Sequence, residues 1–340
     1  MREVTAGDTL DQYRLTELLA RSGMASIYKA TDAVSGQTVA LKIPHPQLES
    51  DVVFFQRFQR EEDIGQRLDH PGIVKVLRPR DKSRMYIAME YVAGQSLRAV
   101  LQDEGPLDPA RALSIALQIT DALEYLHRQR VVHRDLKPEN VLLTDGERIK
   151  ILDFGIALDE KARRMTWAGL SSAIGTPDYM APEQIAGRRG DERTDVYAVG
   201  TMLYEMLTGK LPHAAPNPHA LLRAKANDEP RLPSYYLPSV DPALEAIVMR
   251  AIARAPRDRY ATVAELAAHL RDPTSAPPLD AGPSRPRRRS LLLLRRAALP
   301  LVILLVFTGL AALVALSHRA GDGGLPGAVR PGTPVTPRGR

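Results

Sequence analysis

Twenty consecutive residues, Ala297–Leu316, carry no charged side chain. In hydrocarbon a chain must satisfy its own backbone groups, and a helix of this length measures about 30 Å, the depth of a bilayer's apolar core. A buried core helix would show a polar stripe, and this segment has no polar face. It is expected to be a single transmembrane helix over 297–316, with Leu291–Leu294 extending it toward the interface past Arg295 and Arg296. Met1–Leu10 lacks the apolar core of a secretory signal.

The span accounts for an uneven charge. The formal net charge is +6, yet residues 273–340 carry ten Arg and two Asp, which leaves the first 272 residues at −2. A nearly neutral body lacks the basic face of a nucleic-acid binder, so no nucleic-acid partner is expected. Arg285, Arg287, Arg288, Arg289, Arg295 and Arg296 precede the span and only Arg319 lies close behind it. That asymmetry places the body in the cytoplasm and the C-terminus outside a cell membrane crossed once. The RPRRR cluster reads as a topology determinant attracted to anionic lipid, with residues 285–316 as the lipid contact; a nucleic-acid patch or a solvated linker is the alternative for it. Residues 272–296 form a Pro/Arg-rich juxtamembrane linker without apolar periodicity. Residues 317–340 form a short Gly/Pro-rich extracytoplasmic tail, from which no folded sensor is expected. The chain has no Cys, which excludes disulfides, zinc–thiolate sites, iron–sulfur clusters and a cysteine nucleophile.

Upstream of the linker the pattern changes once. Tyr13–Leu18 alternates, Ser26–Ala30 and Thr38–Ile43 follow with Asp32, Ser35 and Gly36 as turn residues, and Met85–Val92 reads as another strand. A helical pattern at Val53–Leu68 interrupts them. Beyond Gly94 the spacing turns helical: Leu113, Leu117, Thr120, Ala122, Leu123 and Leu126 fit one long amphipathic helix opened by Asp108-Pro109. The expected class is α+β, a small antiparallel-sheet lobe followed by a larger helical lobe, with a ligand cleft at their junction.

Four motifs occur in one order: VALK ending at Lys42, HRDLKPEN at His133–Asn140, DFG at Asp153–Gly155 and GTPDYMAPE at Gly175–Glu183. Each alone is weak. Together they make residues 13–271 resemble a eukaryotic-like (Hanks-type) protein kinase domain of the bacterial serine/threonine kind. The resemblance implies a bilobal protein-kinase fold, with an N-lobe over residues 13–92 that carries the family's helix C and a helical C-lobe over residues 93–271. It also implies ATP with Mg²⁺, or Mn²⁺ in its place, and protein substrates whose Ser/Thr hydroxyls accept the γ-phosphoryl group. Lys137 within HRDLKPEN and Thr176 before Pro177 resemble serine/threonine rather than tyrosine kinases. Membrane-anchored members share the order of kinase, linker and span and act in membrane-proximal signalling. A homodimer through the small lobe is a further implication.

Phosphoryl transfer needs cations, metal-binding oxygens and an acceptor for the hydroxyl proton more than it needs covalent chemistry. By the resemblance, Lys42 holds the α- and β-phosphates and pairs with Glu61, with Glu62 the second candidate by the count back from His70-Pro71. Asp135 orients the acceptor hydroxyl, Lys137 stabilises the transferring group, and Asn140 and Asp153 supply the hard oxygens that Mg²⁺ prefers. The nucleotide is expected against Leu19, Ala20, Arg21, Ser22, Gly23, Met24, Ala25, Ser26 and Ile27, with Ala40, Glu90, Val92 and Leu142 completing its site and Met89 as gatekeeper. The activation segment, Asp153–Glu183, offers Ser172, Ser171 and Thr166 for autophosphorylation near Arg134, while Thr176 belongs to the substrate-contacting wall. Asp195 is expected to tie down the catalytic loop, and Glu183 to pair with Arg259.

The match departs from the family in one loop. The glycine-rich turn falls on Ala20, Ser22 and Ala25, and only the adjacent Gly23 is glycine. Ala and Ser narrow the backbone freedom that close approach to phosphate uses. Gly65 stands where a larger apolar residue often anchors helix C. These departures motivate an alternative reading, a membrane-anchored pseudokinase acting as a nucleotide-sensing or scaffold module.

Overall fold

Burial alternates at Tyr13–Leu15, the start of Tyr13–Arg21 (β2), and along Ala25–Asp32 (β3), and the two strands make a hairpin whose faces differ. With Thr9–Leu10 (β1), Thr38–Pro44 (β4) and Ile87–Glu90 (β5), it builds an antiparallel sheet in sequence order. The turn from β3 to β4 follows its residues: the Asp32 carboxylate accepts from the Val34 N–H (2.9 Å) and the Ser35 hydroxyl (2.8 Å), and Gly36 takes φ +73°. Tyr13, Leu15, Tyr28 and Leu41 pack on one face of the sheet, whereas Ile27, Ala40, Ile87 and Met89 pack on the other.

The helix Val52–Gly65 (α1) lies between β4 and β5 in sequence. The Asp51 carboxylate caps it, accepting from the Val53 and Phe54 N–H groups at 2.8 and 3.1 Å, and Phe58 is buried with Ala40 and Met89. The helical pattern extended to Leu68, but the regular helix stops at Gly65, the residue with the least preference for continuing it. The strand expected over Met85–Val92 is shorter for a different reason. Its ladder with β4 runs from the Lys42–Ile87 pair to the Val39–Glu90 pair and ends there.

The second lobe begins with a small sheet, Gln95–Ser96 (β6), Val141–Leu143 (β7) and Ile149–Ile151 (β8). Its helices are Leu97–Glu104 (α2), Pro109–Arg128 (α3), Pro182–Ile185 (α4), Glu192–Thr208 (α5), Pro218–Asn227 (α6), Pro242–Ala251 (α7) and Val263–Arg271 (α8). Asp108 and Pro109 open α3 as expected, with the carboxylate accepting from the Ala110 N–H at 2.9 Å. α5 is buried from Thr194 through Thr208, and α3, α7 and α8 pack around it. A helix buried on all sides is the axis of a helical lobe. The chain is thus a bilobal α+β body with a curled antiparallel sheet at one end and a helical lobe at the other.

The computed structural model describes residues 3–79, 81–153 and 177–278. The expected span at 297–316, the linker beyond 278, the tail, and Phe154, Gly155, Thr166, Ser171, Ser172 and Thr176 lie outside the described residues. Among the described residues, no helix is long and apolar enough to cross a membrane.

Candidate active site

β4 carries Lys42 and α1 carries Glu61, 19 residues apart in sequence. The Lys42 ammonium lies 2.7 Å from Glu61 Oε1 and 2.8 Å from Asp153 Oδ1, so one cation joins the sheet, the helix and the loop after β8. Burial alone would lower the Lys42 amine, but the Asp153 and Glu61 charges outweigh it and raise it. Asp153 shows the converse: burial would raise its carboxyl, and the Lys42 charge and hydrogen bond hold it below the usual carboxylate range. Glu62, the second candidate for the pair, instead accepts from Lys82 and from Gln66.

The loop His133–Asn140 is held from beneath. Asp195, fully buried on α5, accepts the N–H of His133 at 2.9 Å and of Arg134 at 2.8 Å, and its carboxylate meets His127 Nε2 at 2.8 Å. Arg134 and Asp153 both take positive φ, 64° and 40°, which turns the chain sharply at the two ends of the site. Asp135 lies 2.9 Å from the Lys137 ammonium. Asn140 donates its side-chain N–H to the Asp135 carbonyl at 2.9 Å, which leaves Oδ1 as an acceptor with no partner among the described residues, and the Asn140 carbonyl accepts from the Leu152 N–H. Loop and Asp153 are therefore in fixed register.

The nucleotide-side residues divide by strand alternation. Ile27, Ala40 and Val92 belong to one apolar cluster with Met89 and Leu152. Val141 and Leu143 point into the helical core, so Leu142 faces the opposite way. Arg21 and Ser26 are cross-strand partners and turn away from that cluster: Arg21 pairs with Glu3 at 2.7 Å, and buried Ser26 meets His45 at 3.2 Å. Their side chains therefore stand on the far face of the hairpin. Leu18, Leu19 and Met24 are exposed. The glycine-poor turn has its own support. Ser22 Oγ accepts from the Met24 and Ala25 N–H groups at 3.3 and 3.1 Å, and no residue from Leu19 to Ile27 has positive φ, so this hairpin does not require glycine. Glu90 uses its N–H on the Lys75 carbonyl and its carboxylate on the Lys75 N–H and on Lys150, bracing the connection between the lobes. Gly94 follows this connection. A Cβ there would sit 2.2 Å from the Leu143 carbonyl, so the close approach of chain to β7 needs glycine.

Residues Pro177–Glu183 form a wall beside the catalytic loop. Gln184 donates to the Arg134 carbonyl at 2.9 Å and accepts from the Ala181 N–H, coupling wall to loop. Glu183 and Arg259 pair through two 2.8 Å contacts while almost fully buried. Sequence reasoning missed a second support: Arg98 on α2 joins Glu139 (2.9 Å) and Glu205 (2.8 Å), and the Tyr179 hydroxyl donates to Glu205 and accepts from Arg98. Of these, Tyr179 lies inside GTPDYMAPE and Glu139 inside HRDLKPEN, whereas Arg98 and Glu205 lie in neither. Lys225 was missed as well, since nothing near it in sequence hints at burial.

Comparison with known proteins agrees with this geometry. Residues 13–270 match the protein kinase domain family. A probable serine/threonine-protein kinase of Corynebacterium efficiens is 38% identical over 271 residues, 76% of this chain and 41% of its own length. Serine/threonine-protein kinase PknB of Mycolicibacterium smegmatis is 37% identical over 267 residues, 76% of this chain and 42% of its own length. The chain thus spans 41–42% of the length of these curated relatives. The crystal structure of the Mycobacterium tuberculosis PknI kinase domain aligns with a TM-score of 0.63 at 29% identity, covering 80% of this chain and 100% of that one. The chain belongs to the protein kinase domain family, and its relatives are bacterial serine/threonine-protein kinases of the Hanks type. That family uses ATP with Mg²⁺ or Mn²⁺.

Proposed function

We propose that this chain is an ATP-dependent kinase, with its kinase domain at residues 13–271, that transfers the γ-phosphoryl group to Ser/Thr hydroxyls of proteins. The observation that carries the reading is the meeting of Lys42, Glu61 and Asp153 at one cation, in register with Asp135, Lys137 and Asn140. The donor set fits the cofactor: Asn140 Oδ1 and Asp153 Oδ2 are hard oxygens that would hold the divalent ion, and Lys42 is a fixed ammonium for phosphate oxygens. When bound, Mg–ATP supplies the phosphoryl group with its charge partly neutralised. Lys42 orients the phosphates and is itself oriented by Glu61. Asp135 accepts a hydrogen bond from the acceptor hydroxyl, aims its oxygen, and takes up the proton as that oxygen is phosphorylated. Lys137 sets a second positive charge beside Asp135, where negative charge accumulates.

This complete set, with Ser22 shaping the turn that glycine shapes elsewhere, favours transfer over a pseudokinase scaffold. The test is incubation of the full chain in detergent with labelled ATP and Mg²⁺, alongside Lys42→Met and Asp135→Asn. Label on the chain or on an added basic protein, lost in both variants, is expected. No label with the parent chain overturns the reading.

The uncharged segment 297–316 and the Arg cluster before it support a single-pass anchor at the cell membrane, with the kinase cytoplasmic, residues 285–316 against lipid and the C-terminus outside. Release of the chain from membranes by alkaline carbonate would refute that anchor. Autophosphorylation is assigned to Ser172, Ser171 or Thr166 and is read by phosphopeptide mapping; active protein unmodified at all three refutes it. A homodimer through the small lobe completes the proposal, and a monomer at working concentration by sedimentation refutes that part.

A further inference from the structure

Lys225 on α6 is 2% exposed, and its ammonium has no acidic side chain within ion-pair distance among the described residues. It donates instead to three backbone carbonyls of one short stretch: Pro177 at 2.9 Å, Met180 at 2.8 Å, and Asp178 between them. Its charge lies 5.3 Å from the centre of the Tyr197 ring on α5. Burying a lysine without a carboxylate is costly, and three donors spent on consecutive turns of one main chain are a specific use of it. Burial, against the pull of Asp178 and with the added push of Arg259, lowers the amine to about 7. Either protonation state still donates N–H to the wall, three or two.

The carbonyls belong to the wall that Gln184 couples to the Arg134 carbonyl in the catalytic loop, and Tyr179 sits between two of them. The Tyr179 side chain is gripped by Glu205 and Arg98, and Glu183 by Arg259, but Lys225 alone among the described side chains grips the main chain of Pro177–Met180 through its carbonyls. We propose that Lys225 is a positioning residue for the polypeptide substrate: it holds the backbone of Pro177–Met180 in the shape that receives the chain carrying the acceptor hydroxyl. The proposal rests on the reading above that this wall meets the protein substrate. It assigns a role in acceptor binding to a side chain beneath the wall that touches neither ATP nor the reacting atoms.

The test uses the full chain in detergent with Lys225→Met, which keeps the stem and removes the donors, and Lys225→Arg, which keeps donors. Steady-state transfer to myelin basic protein, the KM for ATP, and ATP hydrolysis without acceptor are measured for each. The Met variant is expected to lose about tenfold in kcat/KM for myelin basic protein, the scale of one stranded buried hydrogen-bonding group, with ATP parameters within about twofold of the parent. The Arg variant is expected to recover most of that loss. Parent-like transfer by the Met variant, or parallel loss of transfer and acceptor-free hydrolysis, overturns the proposal. Amide hydrogen exchange at Asp178, Tyr179 and Met180 is read in parallel, with Lys225→Gln replacing the Met variant if that one does not fold. Faster exchange confined to these amides is expected, and unchanged exchange overturns the assignment. A parent chain that neither hydrolyses nor transfers refutes the kinase reading instead, while the exchange measurement still reports on the wall.

Discussion

Replacing Arg259 with Met removes five hydrogen-bond donors from a site closed to water. Nε donates to the Ala253 carbonyl at 2.7 Å; Nη1 to Glu183 Oε1 at 2.8 Å and the Arg193 carbonyl at 3.0 Å; Nη2 to Glu183 Oε2 at 2.8 Å and the Arg254 carbonyl at 3.0 Å. The guanidinium also lies 4.8 Å from the Tyr197 ring centre. Its side chain is 0% exposed and that of Glu183 is 6%, so solvent cannot replace the lost partners. Among the described residues, Glu183 would keep only the Thr194 hydroxyl, at 3.1 Å. Stranding a buried carboxylate costs about 3–5 kcal/mol, and three orphaned carbonyls add on the order of 1 kcal/mol each before relaxation. Since Met fills much of the volume and the carbonyls can shift, the expected loss is about 4–6 kcal/mol. That is a large part of the roughly 5–15 kcal/mol holding a domain folded. Urea unfolding followed by far-ultraviolet circular dichroism measures it. The double variant Arg259→Met/Glu183→Met buries no charge and is expected to recover at least half of the loss. A single variant weaker by less than about 1 kcal/mol, or a double variant as weak as the two singles added, would refute the reasoning.

Lys42→Met leaves the Glu61 and Asp153 carboxylates without their shared cation, and kcat is expected to fall about 10²–10³-fold in labelled-ATP transfer. For Asp195, burial would raise the carboxyl but the His127 and His133 charges and the Arg134 N–H hold it low. Its stabilisation is therefore complete above the unfolded carboxylate range and is lost as pH falls through its folded value; Asp195→Asn is expected to remove that acid-side loss in thermal unfolding from about pH 3 to 7. Gly94→Ala places a methyl 2.2 Å from the Leu143 carbonyl, which should separate β6 from β7, cost about 1–3 kcal/mol by thermal shift and raise the KM for ATP. Ser22→Ala removes the acceptor that shapes the β2–β3 turn and is expected to raise the KM for ATP about fivefold, measured by initial rates.

Local features were legible because their causes are local. The Asp108-Pro109 start of α3, the Asp32–Gly36 turn and the two-lobed order follow from residues within a few positions of each other. Lys42, Asp135, Asn140 and Asp153 could be singled out because phosphoryl transfer demands a few residue types in motifs of recognisable order. Choosing Glu61 over Glu62 was already less local: it depended on a count from His70, and the structure separates them by sending Glu62 to Lys82. Arg21 and Ser26 show the limit inside one hairpin, where the identity of the turn was readable but the face each side chain takes depended on the register of β2 with β3.

The sequence by itself determined the residue chemistry of the cleft, the order of sheet lobe and helical lobe, and an uncharged stretch long enough to cross a bilayer. Only the tertiary structure decided how the wall beside the catalytic loop is held. Lys225 meets carbonyls 45 to 48 residues away, Arg98 meets Tyr179 and Glu205 at separations of 81 and 107, and Arg259 meets Glu183 at 76. A lysine or arginine in a helical pattern reads as a solvated charge until packing removes the water around it. Once desolvated, the charge has to find partners wherever the fold has placed them, so the partners are set by packing and not by spacing along the chain.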